Sequence, residues 1–350
     1  MKKHIHPVLF LVGLFVSLLL SVMTKLQADN VAYISDEDGK QKSILGTVKE
    51  MARDGVVVGD KKKGQKIDAN TIVSIRYDDE PDALTVARTA LDSSQYKDAL
   101  AQLAQIKDVD KLSEAIRQEI AFFNVFAKVQ LALSGDSEYD VDSVTKDLNQ
   151  FTADFPNSYH FYEAARLIVQ LLTADGNITL ARDVCQQIAD APWPEMKYEA
   201  KVTLGNINLA EGQNDAAAEL FEEVIAATES SAAIDTQKSY AKIGKALILA
   251  KGGDYDAATQ IFKALQDESD TANAQLQATL YNAMGDAAMA AQKNKEAILA
   301  YLHTDLLFPS ARIEHIKALK NLVTLWKGEL REDRAQEAAS TLRNRYGLNP

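Results

Sequence analysis

Apolar residues follow three different patterns along this chain. Residues 7–24, from Pro7 to Thr24, are apolar or small without a single charge. Residues 31–77 then carry short apolar runs: Val31–Ile34, Ile44–Val48, Val56–Val58, the Lys66-Ile67 stretch and Ile72–Tyr77. Between them lie turn signals, namely Asp36–Gly39, Asp54-Gly55 and the polar loop Gly59–Gly64. Runs of this length, separated by Asp-Gly and Lys-Gly turns, predict five short strands in a small barrel or curled sheet over residues 29–80. From Pro81 onward the apolar spacing becomes helical. Proline suits the first turn of a helix, so a domain boundary is expected there.

Residues 81–350 read as pairs of helices, and three segments align on the same small and aromatic positions. The first carries Leu204-Gly205, Gly212, Ala217 and Phe221. The second carries Ala246, Gly253, Tyr255, Ala258 and Phe262. The third carries Tyr281, Met284-Gly285, Ala297, Tyr301 and Pro309. This pattern resembles the tetratricopeptide repeat, a pair of antiparallel helices per unit. A glycine on the first helix would let an alanine on the second approach closely, and the aromatic would fill the groove towards the next unit. Weaker copies occupy 84–106 and 161–188, with Cys185 at an aromatic position. Residues 111–156 form another pair with the repeat residues mostly lost, and 313–346 closes the array. Ala181, Ala217, Ala258 and Ala297 lie 36, 41 and 39 residues apart, which is longer than the ideal period. Longer loops or extended helices at 229–237 and 267–275 are the expected cause. The resemblance implies a right-handed solenoid that buries its core by stacking neighbours. The strand pattern at 29–80 is similar to small SH3-like or Sm-like barrels.

The opening residues change where this fold is expected to work. Lys2 and Lys3 precede the apolar run, and Ala28 ends a candidate cleavage site, the layout of a secretory signal over 1–28. The same run is also long enough for a retained membrane anchor through residues 7–24. Either places the rest of the chain outside the cytoplasm, in a periplasmic or extracellular setting. No cysteine lies near residue 28, which argues against a lipid-modified N-terminus.

Charge and cysteine content narrow the function classes. The formal charge is −12, and setting aside Lys2, Lys3 and Lys25 leaves −15 on the remainder. Such a body repels phosphate backbones, so nucleic acid is not an expected partner. Cys185 is the only cysteine, so no internal disulfide can form, and it is expected to pack in a helix pair. Glycine (16) and proline (7) are scarce for 350 residues, which favours long helices over an all-β chain.

Candidate chemistry is thin. Gly59–Gly64 has the glycine spacing of a phosphate loop, but Gln65 and Lys66 stand where the lysine and hydroxyl belong. It also leads into a strand, so a charged hairpin tip is expected. His4, His6, His160, His303 and His315 show no metal-ligand spacing, and no Gly-x-Ser-x-Gly elbow occurs. No catalytic residue, metal site or cofactor is therefore expected. The resemblance implies instead that the first helices line a groove for a peptide or partner protein. In register, Asn206, Leu209, Leu247, Lys251, Asn282, Asp286 and Met289 should face it. The carboxylate clamp of one subclass needs a lysine where Val202 stands. The function expected is a non-catalytic protein-binding scaffold of the cell envelope. The alternatives are a self-associating structural subunit and an enzyme with a site between β module and repeats.

Overall fold

The computed structural model describes residues 28–35, 39–59, 63–268 and 272–349. The export segment expected over 1–28 lies, apart from Ala28, outside them. Among the described residues, no helix is long and apolar enough to cross a membrane.

Among the described residues, five antiparallel strands come first: β1 Asp29–Ile34, β2 Gln41–Ala52, β3 Gly55–Gly59, β4 Gly64–Asp68 and β5 Ile72–Arg76, in the order β4-β3-β2-β1-β5. All five strand positions read from the sequence are strands. The sheet is open, which corrects the expectation of a barrel-like module. The reason lies at the outer edge of β5, where closure would require pairing with β4. The Arg88 guanidinium donates to the Ile75 carbonyl at 2.9 Å, and the Tyr77 amide donates to Glu80 at 3.2 Å. Arg88 on the first helix and Glu80 just before it thus occupy this edge of the sheet and the turn that follows it.

Among the described residues, fourteen α-helices follow as seven pairs: α1 Asp82–Asp92 with α2 Tyr96–Leu103, α3 Glu114–Ser134 with α4 Val141–Asp154, α5 Phe161–Asp175 with α6 Ile178–Ala189, and α7 Pro194–Ala210 with α8 Asn214–Ile225. The last six are α9 Ala232–Lys251 with α10 Tyr255–Glu268, α11 Ala274–Ala290 with α12 Asn294–Leu307, and α13 Arg312–Gly328 with α14 Glu332–Tyr346. The extra residues near 229–237 mostly extend α9 rather than a loop.

Each pair turns on one left-handed residue: Ser94, Gly135, Gly176, Gly212, Gly253, Gln292 or Leu330. In every case the next residue's amide bonds back five positions, for example Gln95 to Ala90, Asn177 to Leu172 and Arg331 to Trp326, each at 2.8 Å. This is the Schellman closure, which satisfies a helix-end carbonyl and reverses the chain. Ser94, Gln292 and Leu330 adopt it without glycine's freedom.

Close packing within and between pairs depends on missing side chains. A Cβ on Gly205 or Gly244 would lie 2.5 or 2.3 Å from the Phe221 ring, and one on Gly285 would lie 2.6 Å from the Tyr301 ring. The glycines therefore admit the aromatic itself rather than the alanine expected from the repeat pattern. Phe221 is fully buried between α7 and α9, and Cys185 is fully buried in its pair, where burial pushes the thiol up to about 11.

First helices pack on first helices (α1 on α3, α3 on α5, α7 on α9, α9 on α11, α11 on α13), whereas second helices pack principally on chain neighbours. The first helices are therefore an inner row. The row returns on itself where α13 meets α3: Arg312 donates to Ser134 at 2.8 Å and stacks near Tyr96 and Tyr346. The sheet shares one apolar core with α1 and α3, in which Val31, Val58 and Ile75 meet Leu84, Ile116 and Tyr159.

Candidate binding cleft between the sheet and the inner helices

Where the sheet lies across the inner row it leaves a cleft of about 380 Å³. One wall is β5 with Ala69 and Asn70, and the other is built from α1, α3, α5 and the start of α7. Two contacts seat the sheet there. Arg53 donates to the Pro156 carbonyl with its guanidinium 3.7 Å from the centre of the Phe161 ring, and Asn70 bonds Glu195.

The floor is a buried ionic cluster. Arg88 sits in the apolar stripe of α1, between Leu84, Ala87 and Leu91, and is only 3% exposed. Its guanidinium donates to Glu80 at 2.7 and 3.1 Å. Burial works against the charge on both groups, but the pairing wins, so Arg88 is held up and Glu80 down. Glu119 lies on α3 and is 1% exposed. Its Oε1 accepts from the Tyr159 hydroxyl at 2.5 Å and lies 3.2 Å from His160 Nε2. Its Oε2 lies 3.7 Å from Arg88 Nη2 and has no hydrogen-bond partner.

His160 immediately precedes α5 and stacks on Phe122, with ring centres 3.8 Å apart and planes 13° from parallel. Burial alone would push its pKa down, but Glu119 and Glu163, the latter at 3.4 Å, outweigh it and hold it up at about 9. A ring already protonated at neutral pH and held between carboxylates is a poor general base. The cluster ties α1, α3 and α5 to one another. Above the floor stand Phe123, Phe126, Tyr162, Trp193 and Leu91, facing the half-exposed Val73. Arg166 joins α5 to α7 through a two-pronged pair with Glu199, at 2.5 and 2.7 Å.

The residues expected to line a groove lie elsewhere, on α7, α9 and α11. Asn206 and Lys251 are exposed, Met289 is 38% exposed and Leu247 is half-buried. Lys251 reaches across to the Leu209 carbonyl at 3.2 Å. Asp286 accepts from the Tyr301 hydroxyl at 2.5 Å and from Lys317 at 2.7 Å. Two of the seven positions are buried. Leu209 is buried among Val202, Ala217 and Phe221, and Asn282 is buried with its amide given to the Glu314 carbonyl and carboxylate at 3.0 and 2.6 Å. Both face the seam between inner helices because a first helix must bury that side to pack on the next.

Sequence reasoning passed over Arg88, Glu119 and His160 as site residues. A signal existed for two of them. A charge set inside an apolar stripe, as Arg88 is beside Leu84 and Leu91 or Glu119 beside Ile116, Ile120 and Phe123, marks a buried ion whose partner lies in another element. The partner itself is invisible, since His160 is 41 residues from Glu119.

No model of a known protein family matches the chain, and no curated protein matches it either.

Proposed function

We propose that the chain is a non-catalytic, protein-binding scaffold of the cell envelope, a right-handed solenoid of tetratricopeptide-like pairs that takes a peptide or partner along its inner row. The observation that carries this reading is the recurrence of one turn in all seven pairs. Their left-handed residues fall 36 to 41 positions apart, as expected when a single supersecondary unit is stacked to make an extended surface. Beyond the sheet, that surface keeps Asn206, Lys251 and Met289 exposed on successive first helices. The apolar segment 7–24 supports an envelope setting, whether cut or kept.

The test is capture of partners from the native envelope fraction by the full chain and by a variant carrying Asn206→Ala, Lys251→Ala and Met289→Ala together. These three positions are exposed, so the variant should fold. Loss of a specific partner with it supports the inner-row groove, and identical capture by both chains overturns it. A second reading, a self-associating assembly subunit, draws on α12, where Leu299, Leu306 and Leu307 are 59%, 71% and 60% exposed. Light scattering separates the two: a stable oligomer made monomeric by Leu306→Glu favours the subunit.

A further inference from the structure

We propose that the cleft between β5 and the inner helices is a binding site for an organic cation, an ammonium or guanidinium group on an apolar stem. The proposal is separate from the inner-row groove and stands or falls without it.

The walls are the first argument. Phe123, Phe126, Tyr162 and Trp193 surround the cleft, with the Tyr162 and Trp193 rings edge-to-face at 5.5 Å. Aromatic faces attract cations, and an arrangement of several rings is how proteins hold alkylated ammonium groups. A cleft of about 380 Å³ is at the small end of ligand sites and suits one such group with its stem rather than a large ligand.

The balance of charge is the second. Arg88 pairs with Glu80, Arg166 with Glu199, and His160 with Glu119. That leaves Glu163, which shares His160 at 3.4 Å, and Asp92, which has no cation within ion-pair distance among the described residues. The cleft therefore carries surplus negative charge at its mouth, and its own cations are already engaged. An anion entering it would have to displace a carboxylate.

Third, the floor offers an acceptor. Glu119 lines the cleft, is almost completely buried, and has an Oε2 without a hydrogen-bond donor. A buried carboxylate oxygen in that state is costly unless something donates to it. Its nearest cation is Arg88 Nη2 at 3.7 Å, so an ammonium or guanidinium reaching this oxygen would supply the missing donor. Arg88 Nε also lacks an acceptor, and it is the feature that an anionic probe would report.

Trp193 lines the cleft, so its fluorescence can serve as the readout. In a full chain carrying Trp326→Phe, Trp193 is the only tryptophan left. Titration with benzylammonium, agmatine and cadaverine should give a saturable change. Benzoate and benzyl alcohol, of similar size, should give none at the same concentrations. Replacing both mouth carboxylates, as Asp92→Asn with Glu163→Gln, should weaken the cations about tenfold, the effect of 1.4 kcal/mol. Circular dichroism would check that the variant keeps its fold. A second arm uses a capped peptide with one lysine between leucines, against the same peptide with norleucine. Tighter binding of the lysine peptide than of free amines identifies a partner's side chain as the source. Equal or tighter binding of free amines identifies a small amine. The proposal is overturned if no cation gives a saturable response, if benzoate or benzyl alcohol binds as tightly as the cations, or if the double substitution changes nothing.

Discussion

The first three helix pairs and the last four share one turn but are held together differently. In α1–α6 the inner row is crossed by a sheet, and four charged groups (Glu80, Arg88, Glu119 and His160) are buried where the two meet. In α7–α12 the corresponding contacts are sockets of shape, with Phe221 set against Gly205 and Gly244, and Tyr301 against Gly285. The contrast follows from what each region must bury. A helix has satisfied its own backbone and can meet its neighbour with rings and bare glycines. A strand edge brings unpaired carbonyls and amides, and burying it requires donors and acceptors aimed at it. The Arg88–Glu80 pair supplies them, and Glu119 and His160 extend the cluster to α3 and α5. A charge-held junction should respond to pH and to loss of a single partner, whereas a shape-held stack should respond to added volume.

The largest effect is expected at Glu119. Glu119→Ala leaves Tyr159 and His160 without their shared acceptor, and breaking a buried pair costs about 3–5 kcal/mol. Urea unfolding would measure it, and a loss below 1 kcal/mol would show that the cluster is not what holds the sheet. The same junction carries a pH signature. His160 binds its proton more tightly folded, near 9, than its ordinary value of 6.5. Its contribution is therefore complete below about 6.5 and is lost as pH rises through about 9. The melting temperature of the wild type should fall across that window, and Glu119→Ala should flatten the fall.

Gly285→Leu probes the other kind of contact. It drives a side chain into the Tyr301 ring and should cost about 1–3 kcal/mol or more, as overpacked cores do. Thermal unfolding unchanged from wild type would mean that the socket does not bear on stability. The effect should be independent of pH between 6.5 and 9, unlike that at Glu119.

The smallest effect sharpens the shared turn. Leu330 is 88% exposed and left-handed, a conformation costing a residue with a side chain about 1–2 kcal/mol. Glycine removes that cost but surrenders about 0.5–1 kcal/mol to its freedom when unfolded. Leu330→Gly should therefore be stabilising by up to about 1 kcal/mol. A lower melting temperature would mean that the side chain earns its place by a contact outside the turn.

The two regions were unequally legible. The repeat residues Gly205, Ala217, Phe221, Gly285, Ala297 and Tyr301 stand out because period and residue size together mark a helix–helix contact. The five strands were equally readable from apolar runs and turn signals. Four of the left-handed turns fall on glycines, Gly135, Gly176, Gly212 and Gly253, and three on Ser94, Gln292 and Leu330, where no residue type marks them. Those turns are imposed by the packing of the helices they join. Among the groove candidates, Asn206 and Lys251 kept their exposure, while Leu209 and Asn282 went into the seam between first helices. A one-residue difference in facing on a helix is about 100° of rotation, and register alone does not resolve it.

What the sequence determined by itself was the list of parts: strands first, then seven pairs of helices, with an acidic body and an apolar start. Each of these is local, written in spacing over ten to forty residues. Tertiary structure decided how the parts meet. It left the sheet open, laid it on the inner row, returned α13 to α3, and brought Glu80, Arg88, Glu119 and His160 to one cleft. Those choices depend on the fit between surfaces far apart in the chain and on buried charges finding each other, and no local pattern encodes either.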